Sequence, residues 1–134
     1  MESKKNMFEY NSMCADLKGF IATNVDTAGL SQKLSDMGQE GWELDKTLFT
    51  QDGGSTVSAV IILKREQESV KKFEYSVVGI DLDGFATRKK VDNIEFNKTL
   101  NNMAQKGWEL GETISTQAFG VTRTMFAIFK RKLV

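Results

Sequence analysis

Two glutamates stand where this chain would most readily do chemistry. Glu43 and Glu109 each occupy the third place of a Gly-Trp-Glu-Leu tetrapeptide, at residues 41–44 and again at 107–110, 66 residues later. If the fold brings them together, two carboxylates bind a cation or divide the roles of acid and base, since like charges at one site push their proton affinities apart. The plainer alternative is that each pairs with a strand-end cation such as Lys64 or Lys130, or faces water. Trp42, Trp108, Tyr10 and Tyr75 offer aromatic walls of the kind that line a small-molecule site, or the packing of a core. Histidine is absent. The usual general base near neutral pH, the Ser-His and Cys-His nucleophile pairs and the commonest transition-metal ligand are therefore missing. Cys14, the only cysteine, then reads as a buried, inert thiol, because a reactive one needs a positive and accessible surrounding. No catalytic residue, metal site or cofactor is expected.

The tetrapeptide does not repeat alone. Phe8-Glu9-Tyr10 returns as Phe73-Glu74-Tyr75 and Asp16-Leu17-Lys18-Gly19-Phe20 as Asp81-Leu82-Asp83-Gly84-Phe85, both 65 residues on. Further along the spacing is 66: Leu34, Met37, Gln39, Thr47, Thr50, Gln51 and Gly54 match Leu100, Met103, Gln105, Thr113, Thr116, Gln117 and Gly120, and Lys64-Arg65 matches Lys130-Arg131. One residue is gained or lost between Phe20 and Leu34, where a loop belongs. The period is too long for the common solenoid units. A unit this small is marginal alone, so the expected organisation is one domain of 134 residues built from repeat 1 (8–65) and repeat 2 (73–131), joined by a charged linker at 66–72. Two independent beads on that linker are the alternative.

The elements that carry the glutamates follow from periodicity. Residues 73–82 alternate, with Phe73, Tyr75 and Val77 on one face and Val78, Ile80 and Leu82 on the other, which is strand period. The copy at residues 8–17 is weaker, with Ser12 and Cys14 standing where the second has Val77 and Gly79. Asp83-Gly84, and Lys18-Gly19 in the equivalent place, signal a hairpin, followed by short strands near residues 20–23 and 85–91. A helix comes next in each half. In the second, Asp92 and Glu95 make a capping box ahead of Ile94, Phe96, Leu100 and Met103. In the first, Asp26 or Thr27 caps, with Leu30, Leu34 and Met37 at helical spacing.

Gly41 and Gly107 fall where a helix ends in a left-handed residue, which sets Trp42 on Met37 and Trp108 on Met103. Two strands are expected after each motif: 44–51 turning at Asp52-Gly53-Gly54 and returning through 56–64, and 110–117 turning near Gly120 and returning through 122–130. Thr50-Gln51 and Thr116-Gln117 read as polar turn residues, with a ligand rim as the other reading. Residues 59–63 are apolar throughout, as a central strand buried on both faces would be. The expected fold is α+β: two ββαββ (or βαββ) repeats related by a pseudo-twofold axis, a largely antiparallel sheet, and two helices packed on one side.

The opening Phe-Glu-Tyr strand, the helix ending in Gly-Trp-Glu-Leu and the closing apolar strand terminated by Lys-Arg resemble the small bacterial and phage domain-of-unknown-function family 4177. The resemblance covers residues 8–65 and 73–131. Members usually carry one copy, so the resemblance implies a fused tandem, and a single-copy relative could form the same arrangement as a homodimer. It implies no established activity.

Composition narrows the partners. Eighteen basic and eighteen acidic residues cancel, so no overall field steers the chain to nucleic acid or an anionic membrane; the halves carry about −2 (1–65) and +2 (66–134) by the same counting at neutral pH. The clusters Arg88-Lys89-Lys90 and Lys130-Arg131-Lys132 read as solvated strand ends. No apolar run approaches the roughly 20 residues of a membrane span, and no signal-peptide pattern follows Met1, so a cytoplasmic protein is expected. Proline is absent too. The preferred functional reading is a non-enzymatic module binding a small ligand or protein partner at the seam between repeats, through Glu43, Glu109, Trp42, Trp108, Tyr10 and Tyr75. The alternatives are a carboxylate-only enzyme or cation site using Glu43 and Glu109, and a structural protein that homo-oligomerises through sheet edges.

Overall fold

The computed structural model describes residues 7–16, 27–52, 55–68, 70–80, 82–83, 90–118 and 121–133. In chain order the elements are β1 (Phe8–Asp16), α1 (Thr27–Gln39), β2 (Glu43–Asp52), β3 (Ser55–Glu66), β4 (Lys72–Ile80), β5 (Leu82–Asp83), β6 (Lys90–Val91), α2 (Asn93–Gln105), β7 (Glu109–Ala118) and β8 (Val121–Leu133). The fold is α+β, and the antiparallel pairing takes the form of two three-stranded sheets, β1-β3-β2 and β4-β8-β7, plus the short β5-β6 ladder. In each sheet the last strand of the half lies in the middle. That strand carries the longest unbroken apolar run of its half, 59–63 in β3 and 125–129 in β8, which suits it to the place with a neighbour on both sides. Gly84, the Lys18-Gly19 turn, the strand at 20–23, Asp26, Gly53-Gly54 and Gly120 lie outside the described residues, as does the expected strand at 85–91 apart from its last two positions.

Both helices stop as their sequences dictate. Gly41 and Gly107 take φ of 94° and 88°, a region closed to most side chains and open to glycine. The amide of Trp42 then reaches back to the Met37 carbonyl, and that of Trp108 to the Met103 carbonyl, each at 3.1 Å. This six-to-one bond satisfies carbonyls the helix end would leave unpaired. At the start of α2 the Asp92 carboxylate accepts from the Glu95 amide at 3.2 Å. Half of the capping box therefore forms, while the Glu95 carboxylate turns outward to Lys98.

Each helix lies on the same face of its own sheet. Leu30, Leu34 and Trp42 pack with Ile61 and Leu63, and Phe96, Leu100, Met103 and Trp108 pack with Ala127 and Phe129. The first of these clusters runs on into the second half through Phe73, Tyr75, Val77, Ile114, Phe126 and Ile128, so the inner face of the second sheet closes onto the first half.

That closure depends on one face of α1. Ser31, Ser35 and Gly38, spaced at one turn, lie along β4, the edge strand of the second sheet. The Ser35 hydroxyl accepts from the Tyr75 amide at 2.9 Å and sits 3.1 Å from the Tyr75 carbonyl, and the Ser31 hydroxyl accepts from the Val77 amide at 2.8 Å. Small hydroxyl residues thus supply the partners that an edge strand otherwise seeks from another chain. Gly38 makes the approach close enough, since a Cβ there would lie 2.1 Å from the Phe73 carbonyl oxygen.

The two central strands end up differently. Phe126, Ala127, Ile128 and Phe129 of β8 are all buried, whereas in β3 Ala59, Ile61 and Leu63 are buried and Val60 and Ile62 only half so. The expectation that residues 59–63 are buried on both faces is corrected: nothing among the described residues closes over the outer face of the first sheet. Cys14 lies on that face opposite Val60 and is exposed, which corrects its reading as a buried thiol.

Candidate functional site

The repeated sequence motifs meet in a clamp that occurs once in each half. Strand register sets Arg65 opposite Glu9 and Arg131 opposite Glu74. The Arg65 Nε donates to the Glu9 carboxylate at 2.6 Å and its Nη1 to the Glu40 carbonyl at 2.8 Å, with the guanidinium 4.3 Å from the Trp42 ring centre. Arg131 repeats this with Glu74 at 2.6 Å, the Lys106 carbonyl at 2.7 Å and Trp108 at 4.2 Å. A planar guanidinium can do all three at once: it stacks on the indole, forks onto a carboxylate and neutralises a helix C-terminus. The reading of Lys130-Arg131 as a solvated strand end missed this. The signal lay in the sequence, in the recurrence of Glu9, Trp42 and Arg65 as Glu74, Trp108 and Arg131 at the spacing of the repeat.

Glu43 and Glu109 meet at one cation. Glu43 accepts from Lys130 Nζ at 2.6 Å, and Glu109 Oε1 is 4.0 Å from the same ammonium. The two carboxylates are therefore brought together with the place between them already filled by a positive charge of the chain. Lys130 is largely shielded from solvent while Glu109 is well exposed, so Glu43 is the firmer partner.

Around them lies an open cleft of about 220 Å³ lined by Leu44, Asp45, Gly111, Glu112 and Lys130 with Glu109 and Leu110. It is below the range of roughly 300–1,000 Å³ that ligand pockets occupy. Irregular pairing shapes it: the register of each motif strand slips between Leu44 and Lys46 and between Leu110 and Glu112. Such bulges re-aim side chains, here Asp45, which lies 3.9 Å from Lys64, and Gly111, whose missing side chain makes room for Leu44. Across the cleft the Thr47 hydroxyl donates to Glu112 at 3.2 Å. Among the described residues no cluster of acidic or cysteine side chains is placed to hold a metal ion. The Thr-Gln repeats mark a second slip in each strand, after Thr50 and Thr116.

The four aromatic residues do not share a wall. Trp42 and Tyr75 are in the core joining the halves, and Trp108 lies in the second cluster beneath Arg131. The Tyr75 hydroxyl donates to the Trp42 carbonyl at 3.1 Å and accepts from the Leu44 amide at 2.8 Å, spanning the two backbone groups at the start of β2. Burial pushes this hydroxyl well above the ordinary phenol range; the Leu44 amide draws it part of the way back, and the Glu43 carboxylate adds to the rise. Tyr75 is thus a neutral structural link at any physiological pH. Tyr10, its equivalent, is 63% exposed against 4% for Tyr75.

Tyr10 belongs to a surface that the sequence reading did not single out. Register places Phe8, Tyr10 and Cys14 of β1 on one face with Val60 and Ile62 of β3 and Leu48 of β2. Phe8, Tyr10 and Leu48 are exposed there. The usable signal was the mismatch between a central strand apolar on both faces and an edge strand carrying Ser12 and Cys14.

Residues 73–132 match the model of a domain of unknown function, DUF4177, and the second half of the chain is one such domain. No curated protein and no solved structure matches the chain. The described helices include none long and apolar enough to cross a membrane.

Proposed function

We propose that the chain is a non-enzymatic docking module built from two copies of one unit, and that the outer face of its first sheet is the surface through which it binds another protein. One observation carries the reading: Phe8, Tyr10, Leu48, Val60 and Ile62 form an apolar face open to solvent, while the equivalent face of the second half is buried. Contiguous exposed apolar surface of this kind marks an interaction site. The clamp of glutamate, arginine, tryptophan and helix end, present in both halves, supports residues 8–65 as a second copy of the domain matched at 73–132. Catalysis by Glu43 and Glu109 has less support, because Lys130 occupies the place between the carboxylates that a substrate or cation would need. The seam itself is filled by Tyr75, Trp42 and Leu44, leaving the shallow cleft beside Lys130 as the site for a small ligand.

The docking face is tested with 1-anilinonaphthalene-8-sulfonate, a dye that brightens on exposed apolar surface. The protein in dilute solution should enhance its emission, and Leu48→Lys should abolish most of that gain without loss of far-ultraviolet helix and strand signal. Equal emission from both proteins would remove the face as a binding surface.

A further inference from the structure

The joint that holds the two halves together has two sides. One is α1 with the residues after it: Ser31, Ser35 and Gly38 lie on the β4 edge, and Trp42 and Leu44 grip the Tyr75 hydroxyl. The other is the inner face of the second sheet. Because the chain is repeated, it carries each side a second time, and among the described residues neither second copy is used.

Asn97, Asn101 and Ala104 of α2, with Trp108 and Leu110, stand at the positions of Ser31, Ser35, Gly38, Trp42 and Leu44. Leu110 is 41% exposed where Leu44 is 6%. On the first sheet Tyr10 stands at the position of Tyr75, and Leu48, 56% exposed, at that of the fully buried Ile114. Among the described residues the Tyr10 side chain makes no hydrogen bond, and the edge amide of Ser12 is met by its neighbour Asn11 at 2.8 Å.

We propose that the occupant of the open face is a second copy of this chain, which lays its α2 along the β1 edge as α1 lies along β4. This rests on the docking reading above and names the partner. In that joint the Tyr10 hydroxyl would meet the Trp108 carbonyl and Leu110 amide of the other copy. Glu109, exposed in the single chain, would meet Lys64 as Glu43 meets Lys130. The contact also brings the half of the chain with net positive charge to the half with net negative charge, which favours encounter in this sense.

The sequence differences between the two sides are consistent with a wider spacing. Ala104 replaces Gly38, whose lack of a Cβ lets α1 reach contact with the Phe73 carbonyl, so α2 must stand further from β1. Asparagine reaches further than serine; the Asn101 amide, which donates to the Asn97 carbonyl at 2.8 Å in the single chain, would turn outward with Asn97 to span the added gap. Asp45 takes the position of Gly111, against which Leu44 packs, so Leu110 turns aside there. Each copy offers one helix side and one sheet side. The contact is head-to-tail, closing as a ring or running on as a chain.

Complementation tests it. Light scattering on the size-separated full chain should give a mass above the 15.0 kDa of one copy, rising with concentration. Tyr10→Arg blocks the sheet side and Asn101→Arg the helix side, so each alone should give a single copy. Mixed in equal amounts they should give twice that mass, since the intact helix side of one fits the intact sheet side of the other. Leu48→Lys and Leu110→Asp form a second pair with the same expectation, and circular dichroism confirms that each variant is folded.

A wild-type chain that stays at one copy up to its solubility limit would overturn the proposal, and so would a mixture that stays at one copy. Association lost in Tyr10→Arg but kept in Asn101→Arg would mean face-to-face packing of the first sheets and would overturn it equally. If the wild type is a single copy yet binds the dye in a Leu48-dependent way, the self-association falls and the docking face remains.

Discussion

Removing one oxygen atom, by Tyr75→Phe, tests the account of how the halves are joined. The hydroxyl lies in a buried site, donating to the Trp42 carbonyl at 3.1 Å and accepting from the Leu44 amide at 2.8 Å. Phenylalanine fills the same space and leaves both backbone groups buried without a partner. An orphaned buried group costs about 1–3 kcal/mol, so two of them should destabilise the chain by about 2–6 kcal/mol. That is a large part of the roughly 5–15 kcal/mol by which domains are stable. Urea unfolding followed by tryptophan emission should show the loss at unchanged slope, and the melting temperature should fall by roughly 10 °C.

Tyr10→Phe in dilute solution is the control and should change stability by less than about 0.5 kcal/mol, because that hydroxyl faces water. The pH dependence adds a signed test. Tyr75 holds its proton more tightly folded than unfolded, so between the unfolded phenol value of about 10 and the higher folded value the native state binds more protons. Stability from this group is complete below pH of about 10 and declines above it. The difference between wild type and Tyr75→Phe should therefore narrow as pH rises beyond that point. A Tyr75→Phe loss below about 0.5 kcal/mol, the range of ordinary surface changes, would refute the link, as would a difference that widens in alkali.

Two further substitutions probe the parts that position the joint and the motif. Gly38→Ala should destabilise by about 3 kcal/mol in urea unfolding, despite the gain of about 1 kcal/mol in helix propensity, because its Cβ would fall 2.1 Å from the Phe73 carbonyl oxygen; a stabilised variant would mean that α1 does not lie on that edge. Arg131→Lys keeps the charge but loses the fork and the stack on Trp108, and should lower stability by about 1 kcal/mol. Hydrogen exchange at the C-terminal turn of α2 should quicken in that variant, and unchanged exchange there would remove the arginine from the clamp.

The strands and helices were legible because their signals are local. Alternation marked β4, the glycine at each helix end marked α1 and α2, and the apolar run at 59–63 marked β3 as a central strand. Convergence of the two motif glutamates was legible as a question, and the repeat itself posed it. The Arg65 and Arg131 clamps could have been read from matched spacing, had arginine been considered as a stacking group rather than a strand-end charge. The open face and the exposed Cys14 left one trace in the sequence, the polar Ser12 and Cys14 of β1 beside an apolar central strand, and that trace did not decide their exposure. Burial of Val60 and Ile62 depends on whether another element covers them, and nothing in residues 59–63 records whether one does.

By itself the sequence determined a roughly repeated β-α-β arrangement: which segments are strand and helix, where each helix must stop, and which side chains bind one half together. These follow from contacts within a few residues or within one sheet, and both copies carry the residues for them. Only the tertiary structure decided that the copies are used unequally. Tyr75 and Tyr10 are the same residue in the same motif, yet one is sealed in the core and the other faces water. The reason is how closely each helix can approach: α1 presents Ser31, Ser35 and Gly38 and lies in contact with the β4 edge of its own chain, while α2, with asparagines and an alanine there, must stand further off and, among the described residues, leaves its own chain's β1 edge uncovered. Two halves built on one repeated pattern therefore share one buried joint, and the corresponding surfaces of Tyr10, Leu48 and Leu110 stay open to solvent.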